Sequence, residues 1–408
     1  MKRIHVVQLV LFLLTLIFTT ITGAELRHGA SLFYGNSLEF LELGSGLWYS
    51  LSFLLFLGAH EFGHYLIAAR NQVKVTLPFF IPFYLGFIST FAGLVSIGSL
   101  GAFISIRSIV KSRKAYFDIG IAGPLAGFAV VLVIIAIGFL TLPPLEYIYG
   151  IHPEYLPLQE NYSDYTPPAG QTALVFRFGS NLLFQIFEAV MPYDPVLYPY
   201  ENEVLHYPFL MVGYLGLFLT ALNLLPIGQL DGGHIVYGLF GKRYHGIISR
   251  VAYLIFLFYA GLGFLKPGNF DFIFVGWSVM YIYFLYVCLF NVTTERQNRL
   301  VMAVAIFSGQ FLLIYAFPAI EGYPGWLLFA FIVGRIIGID HPETVDAQPL
   351  DLKRKALGVL SLVIFILCFS PKPFIYETIT GEKDHDHEAP KTETVTHTHH
   401  EDFEEEES

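Results

Sequence analysis

Cysteine is nearly missing from this chain. Only Cys288 and Cys368 occur in 408 residues, both inside apolar runs, which excludes a disulfide framework and a cysteine-built metal site. Charge is scarce too: 14% of residues are Asp, Glu, Lys or Arg, well under the share usual in soluble domains. These scarcities rule out a disordered or collagen-like chain and a nucleic-acid-binding protein. Apolar residues take the space instead. The chain is 55% hydrophobic and 17% aromatic, with a mean hydropathy of +0.59, so several segments are expected to span a membrane. The formal net charge of −10 gathers after Pro371, where acids far outnumber Lys372, Lys383 and Lys391. It describes a tail and says little about a substrate.

Nine apolar stretches have the length and composition of spanning helices, roughly 6–23, 47–69, 116–141, 207–226, 250–265, 272–290, 300–317, 324–338 and 356–370. The first follows Lys2-Arg3 and ends at Thr22-Gly23-Ala24, a layout that also suits a signal peptide, so its retention stays open. If the N-terminus is inside and the segments alternate, all but six of the 23 basic residues fall inside. The exceptions are Arg27, Arg177, Lys266 and the three tail lysines, and this asymmetry favours the topology.

Val75 to Ile106 carries no charge and is long enough to cross once, which would invert everything downstream. Pro78, Pro82, Gly86, Gly93, Gly98 and Gly101 argue against a plain helix there. Ser96–Ile106 reads as a short hairpin dipping into the membrane, since irregular backbone at that depth must be buried in protein or line a wet cavity. The outside loop from Pro143 to Tyr207 is rich in Pro, Tyr and acids and shows no recognisable chemistry. The polar tail reads as disordered, with His385, His387, His397, His399 and His400 as at most a weak metal site.

His60-Glu61-Phe62-Gly63-His64 is the sharpest motif. Histidines at i and i+4 share one helix face, so both imidazoles can reach one Zn²⁺. Glu61 can serve as general base toward a water at that metal. A chain of this composition is expected to match the pattern by chance roughly 0.03 times. The motif also lies within an apolar run, where ionisable groups are costly and usually functional. A histidine pair that merely hydrogen-bonds within the bundle would leave the glutamate between them unexplained.

Catalytic zinc usually has three protein ligands, and Asp231 in Asn223-Leu224-Leu225-Pro226 … Asp231-Gly232-Gly233-His234 is the best third candidate. The same residues read plainly as a helix end and turn, which could still present the carboxylate to a metal. His234, His245 and His341 are further candidates, with His234 better suited to supporting a ligand than to being one. Gly123-Pro124-Leu125-Ala126-Gly127 carries the small-residue spacing that lets helices approach closely. For Gly338–Asp346 a helix-ending turn is the default.

In this order, His60–His64, Gly123–Gly127 and Asn223–Pro226 with Asp231-Gly232 resemble the motif set of the site-2 protease family of intramembrane zinc metalloproteases. The resemblance implies one zinc per chain held by His60, His64 and Asp231, with Glu61 as catalytic base. It implies that Asn223 contacts the substrate or the oxyanion, and that a re-entrant β-hairpin follows the first motif. The outside loop is too short for an ordinary PDZ domain, and the subgroup with extra C-terminal spans, including chloroplast relatives, is the closer likeness.

The expected fold is thus an all-α polytopic membrane protein of about nine transmembrane helices with a membrane re-entrant β-hairpin. Residues 1–46 form a first helix and outside loop, and 47–235 a catalytic membrane core, with the re-entrant region at 75–106 and the outside loop at 143–206. Residues 236–370 are additional helices and 371–408 an acidic, His-containing disordered tail. The expected activity is hydrolysis of a peptide bond within or beside a transmembrane segment, with single-span membrane proteins as substrates and the bilayer as partner. The expected location is the bacterial inner membrane, with the site near the cytoplasmic face. A zinc transporter or an inactive, chaperone-like relative are the alternatives. Oligomeric state is not legible.

Overall fold

The computed structural model describes residues 3–32, 40–86, 96–268 and 271–381. The chain is mostly helical. In chain order the helices are α1 (Arg3–His28), α2 (Leu47–Arg70), α3 (Arg113–Leu140), α4 (Glu146–Ile151), α5 (Leu182–Val190) and α6 (Pro208–Leu224). They continue with α7 (Asp231–Gly261), α8 (Phe272–Cys288), α9 (Arg296–Ala316), α10 (Trp326–Phe331) and α11 (Leu352–Cys368). Among the described residues, five helical stretches are long and apolar enough to cross a membrane: Arg3–His28, Glu42–Arg70, Arg113–Leu140, Phe272–Asn291 and Arg296–Ala316. Pro208–Leu224 and Trp326–Ile337 are shorter apolar helices.

Surface chemistry is inverted relative to a soluble protein. Phe272, Ile273, Trp277 and Met280 on α8, and Val301, Leu312 and Tyr315 on α9, stand exposed, an apolar exterior that suits lipid and not water. The polar residues of α1 turn inward instead, with Thr19 Oγ1 2.6 Å from Ser50 Oγ of α2. Helices without a hydrophobic drive to associate use such hydroxyl contacts and close backbone approach.

The core around the first motif is a tight helix group. Gly63 of α2 faces the carbonyl of Ala122, and Gly127 of α3 faces Phe56 and His60, so α2 and α3 pack antiparallel with little side chain between them. Gly138, which faces Leu210, and Gly213, which faces Ile135, do the same for α3 and α6. The proline inside α3, Pro124, lies between the two glycines that meet α2. In α7, Gly241 at φ 77° and ψ 176° breaks the helix into two segments.

Two small antiparallel sheets accompany the helices. Strand β1 (Phe79–Pro82) pairs with β2 (Ser99–Phe103), Phe79 opposite Phe103 and Phe80 opposite Ala102. The expected hairpin within Ser96–Ile106 is therefore corrected: those residues supply one strand, and its partner comes about twenty residues earlier. Pro78 precedes β1 and Pro82 ends it, which marks a short edge strand, where proline is tolerated. Residues 87–95 lie outside the described residues. Val75 bridges Ile106, and Arg107 N–H donates to Lys74 O at 2.7 Å, so the uncharged stretch starts and ends at one point.

Strand β3 (Thr172–Phe178) pairs with β4 (Phe374–Thr380) in seven-residue register, from Thr172 opposite Thr380 to Phe178 opposite Phe374. The disordered tail expected from residue 371 is corrected to this extent, because Phe374–Thr380 forms a strand that pairs with β3 along its whole length. Residues 382–408, with the histidine clusters, lie outside the described residues.

Candidate metal centre

α2 carries His60 and His64 one turn apart on the face turned to α3. His60, Glu61 and His64 are all buried. Asp231 reaches them from the first residue of α7, after the chain leaves α6 through Leu225–Leu230. His60 Nε2 and His64 Nε2 are 3.1 Å apart, and each is 3.3 Å from Asp231 Oδ2. Metal bonds of 2.0–2.1 Å in a tetrahedron put neighbouring ligand atoms about 3.3 Å apart. The three atoms therefore sit at the spacing of three corners, and the group could hold a metal ion.

The tautomer of one ring is set from behind. His64 Nδ1 lies 2.7 Å from Ile119 O, and since a carbonyl only accepts, Nδ1 carries the proton and Nε2 keeps its lone pair. His60 Nδ1 is buried with no hydrogen-bond partner among the described residues.

Glu61, Asn223 and His234 join the same three residues around one cavity of about 230 Å³, whose wall includes Ala102, Phe103 and Ile104. Asn223 Nδ2 is 3.4 Å from His60 Nε2. The backbone N–H of Ile104 faces the Glu61 carboxylate. All five residues singled out from the sequence thus meet, and the chain just after Ser99 closes the space over them.

Of the other histidines, His245 donates to Gly228 O at 3.2 Å and stays away from the cluster. His234 turns behind Asp231, where its Nδ1 is 2.7 Å from His341 Nε2. His341 in turn stacks on Tyr237, ring centres 3.9 Å apart. Gly338 ends its helix at φ 91°, the turn expected there, but the following residues go on to brace His234. A separation of more than a hundred residues left no local signal for this pair. The glycine motif was legible as packing only. Its sharper role is that a Cβ at Gly123 would overlap the His64 imidazole.

Comparison with known proteins identifies a family. The Peptidase family M50 model matches residues 48–264. A probable zinc metalloprotease EGY1, chloroplastic, from Oryza sativa subsp. japonica is 34% identical over 189 residues, which is 45% of this chain and 26% of that protein. Its namesake in Arabidopsis thaliana is 34% identical over 194 residues, 47% of this chain and 29% of the relative. A probable zinc metalloprotease EGY2, chloroplastic, from Oryza sativa subsp. indica is 27% identical over 217 residues, 53% and 33% of the two chains. The chain thus spans about a quarter to a third of these relatives' length. Their names place them in chloroplasts and lend the expected bacterial inner membrane no support. No solved structure matches significantly. Since the matched stretch covers more than half of the 408 residues and holds His60, Glu61, His64, Asn223 and Asp231, the chain belongs to Peptidase family M50.

Proposed function

We propose that this protein is an intramembrane zinc metallopeptidase that hydrolyses a peptide bond within or next to a transmembrane segment of a single-span membrane protein. The observation that carries the reading is the convergence of two imidazole nitrogens and one carboxylate oxygen at 3.1–3.3 Å, beside a buried glutamate. His60, His64 and Asp231 would hold the zinc. When bound, zinc supplies a Lewis acid that makes water a nucleophile near neutral pH and polarises the scissile carbonyl.

The chain's own groups do the rest. Glu61 takes the proton of the attacking water and can return it to the leaving amine. The Asn223 amide N–H, held beside His60, donates to the oxyanion as charge develops. A helical substrate hides its carbonyls, so it must unwind before it can react. Strand β2, which leads into the cavity wall, offers backbone groups for an extended stretch to pair with.

In the same reading the chain crosses the bilayer nine times, and β1 with β2 forms a re-entrant hairpin on the inner side. Two sets of contacts support this topology. Segments assigned inside touch one another: Arg354 grips Asp118 through two bonds of 2.7 Å, Lys242 pairs with Glu343, and Ser112 bridges Asp346. Segments assigned outside do likewise, β3 with β4 and Lys266 with Glu321 at 2.8 Å. The catalytic core then corresponds to 47–235.

Glu61→Gln tests the mechanism. It keeps size and polarity but removes the proton acceptor, so the purified variant should retain zinc at this site while cleavage of a model single-span substrate falls on the order of 10²–10⁴-fold. Undiminished cleavage would sink the mechanism. Zinc flux in liposomes without cleavage in any variant would favour the transporter.

A further inference from the structure

A second set of residues repeats the geometry of the first. It lies in the segment between α3 and α6, more than eighty residues along the chain from the HExxH motif. His152 directly follows α4. Glu203 and His206 stand three apart around the single 3₁₀ turn Val204–His206 that leads into α6, and this spacing puts both side chains on one face.

His152 Nε2 and His206 Nε2 are 3.3 Å apart. Each is 3.4 Å from Glu203 Oε2. The edges of this triangle match those at His60, His64 and Asp231, and both match the about 3.3 Å that a tetrahedral zinc imposes.

The remaining polar atoms of all three side chains are already engaged. His206 Nδ1 bonds to the carbonyl of Leu26, so it carries the proton and leaves Nε2 a bare lone pair. His152 Nδ1 faces Glu154 Oε1 at 3.0 Å, with the same result. Glu203 Oε1 accepts from Tyr155 Oη at 2.8 Å and Asn202 Nδ2 at 2.6 Å. Glu203 Oε2 is buried and has no hydrogen-bond partner among the described residues, while Glu203 as a whole is 3% exposed and His206 4%. Three acceptors therefore point at one another in a largely dry place with no donor among them. Such an arrangement is repulsive unless a proton is shared among them or a metal cation sits at its centre. Imidazole nitrogens locked from behind by hydrogen bonds to oxygen are the usual support of metal ligands.

We propose that His152, Glu203 and His206 form a second zinc site, on the face of the molecule opposite the first. Two nitrogens and one carboxylate oxygen suit Zn²⁺ among the abundant divalent ions better than Mg²⁺ or Ca²⁺, which take all-oxygen sets. The His152 side chain is 27% exposed and borders a cavity of about 430 Å³, which gives the ion a way in and leaves its fourth position open. The site joins α4, the start of α6 and, through His206 and Leu26, the end of α1, so its role is to fasten the outer segment to the helices.

Zinc per chain tests this on the full-length protein in detergent, loaded with Zn²⁺ alone, freed of loosely held metal by gel filtration and measured by elemental analysis. Wild type and Glu61→Gln should each hold one more zinc than Glu203→Gln or His152→Ala. His60→Ala should lose the other ion and keep this one, and His60→Ala with Glu203→Gln should lose both. Added zinc should raise the Tm of His60→Ala but not of the double variant. A cluster that merely shares one proton would give equal zinc in wild type, Glu203→Gln and His152→Ala, and that equality would overturn the proposal. Because His60→Ala and Glu203→Gln report separately, failure here leaves the reading of the first site standing.

Discussion

At Gly123 the absence of a side chain decides where an imidazole can lie. A methyl group there would occupy the place of the His64 ring, whereas at Gly127 the nearest atoms, from Phe56 and His60, are 3.1–3.3 Å away and can give slightly. Gly123→Ala should therefore weaken zinc binding at the proposed site on the order of 10–100-fold, the range seen when the support of a ligand is lost. Gly127→Ala should cost far less. Competition with a chelating dye would measure both, and equal effects would refute the distinction. At this scale the sequence was informative where partners are close along the chain. His60, Glu61 and His64 are legible because helix periodicity alone puts the two histidines together, and Asp231 because a carboxylate after an apolar helix needs a reason. His341 and His152 were not legible in these roles. Their partners His234 and His206 come from other elements, and only the fold sets their separation.

Among the elements, strands were the hardest to read. β1 is four residues long, preceded by Pro78 and ended by Pro82, so it reads as a helix breaker before it reads as a strand. Phe374–Thr380 was hidden by its neighbourhood, since the acids that follow dominate any window that includes it. Its pairing with β3 is nonetheless extensive and gives a prediction. A chain ending at Gly381 should melt like the full-length protein. One ending at Pro373 should lose seven cross-strand pairs, at roughly 0.2–1 kcal/mol each. Limited proteolysis should then cut the segment between α3 and α6 faster. Equal cleavage of the two truncated forms would show that β4 contributes nothing to the segment between α3 and α6.

For the whole molecule, most helices were legible from hydropathy, and the side assigned to each connection came from where the basic residues fall. The bridge between Val75 and Ile106 adds what composition lacks, a contact that joins the two ends of the uncharged stretch and supports the proposed topology. An exposed position nearby makes the proposed topology testable. Cys288 and Cys368 are buried, so a single cysteine placed at Lys111 should react with a membrane-impermeant thiol reagent only from the inner side. One placed at Glu201 should react only from the outer side. Reaction of Lys111→Cys from outside alone would overturn both the topology and the shared depth of His64 and Asp231. The last helix also bears on how this protein can be divided. α11 is tied to α3 at one end through Arg354 and Asp118, and at the other it runs into β4 and so to β3. Between α10 and α11 the chain delivers His341 to His234. The region that matches the family, residues 48–264, therefore depends on parts that come after it. A fragment cut at its end would keep the motifs but lose the brace behind Asp231 and the partner of β3. Here the boundary of homology is not a boundary of folding.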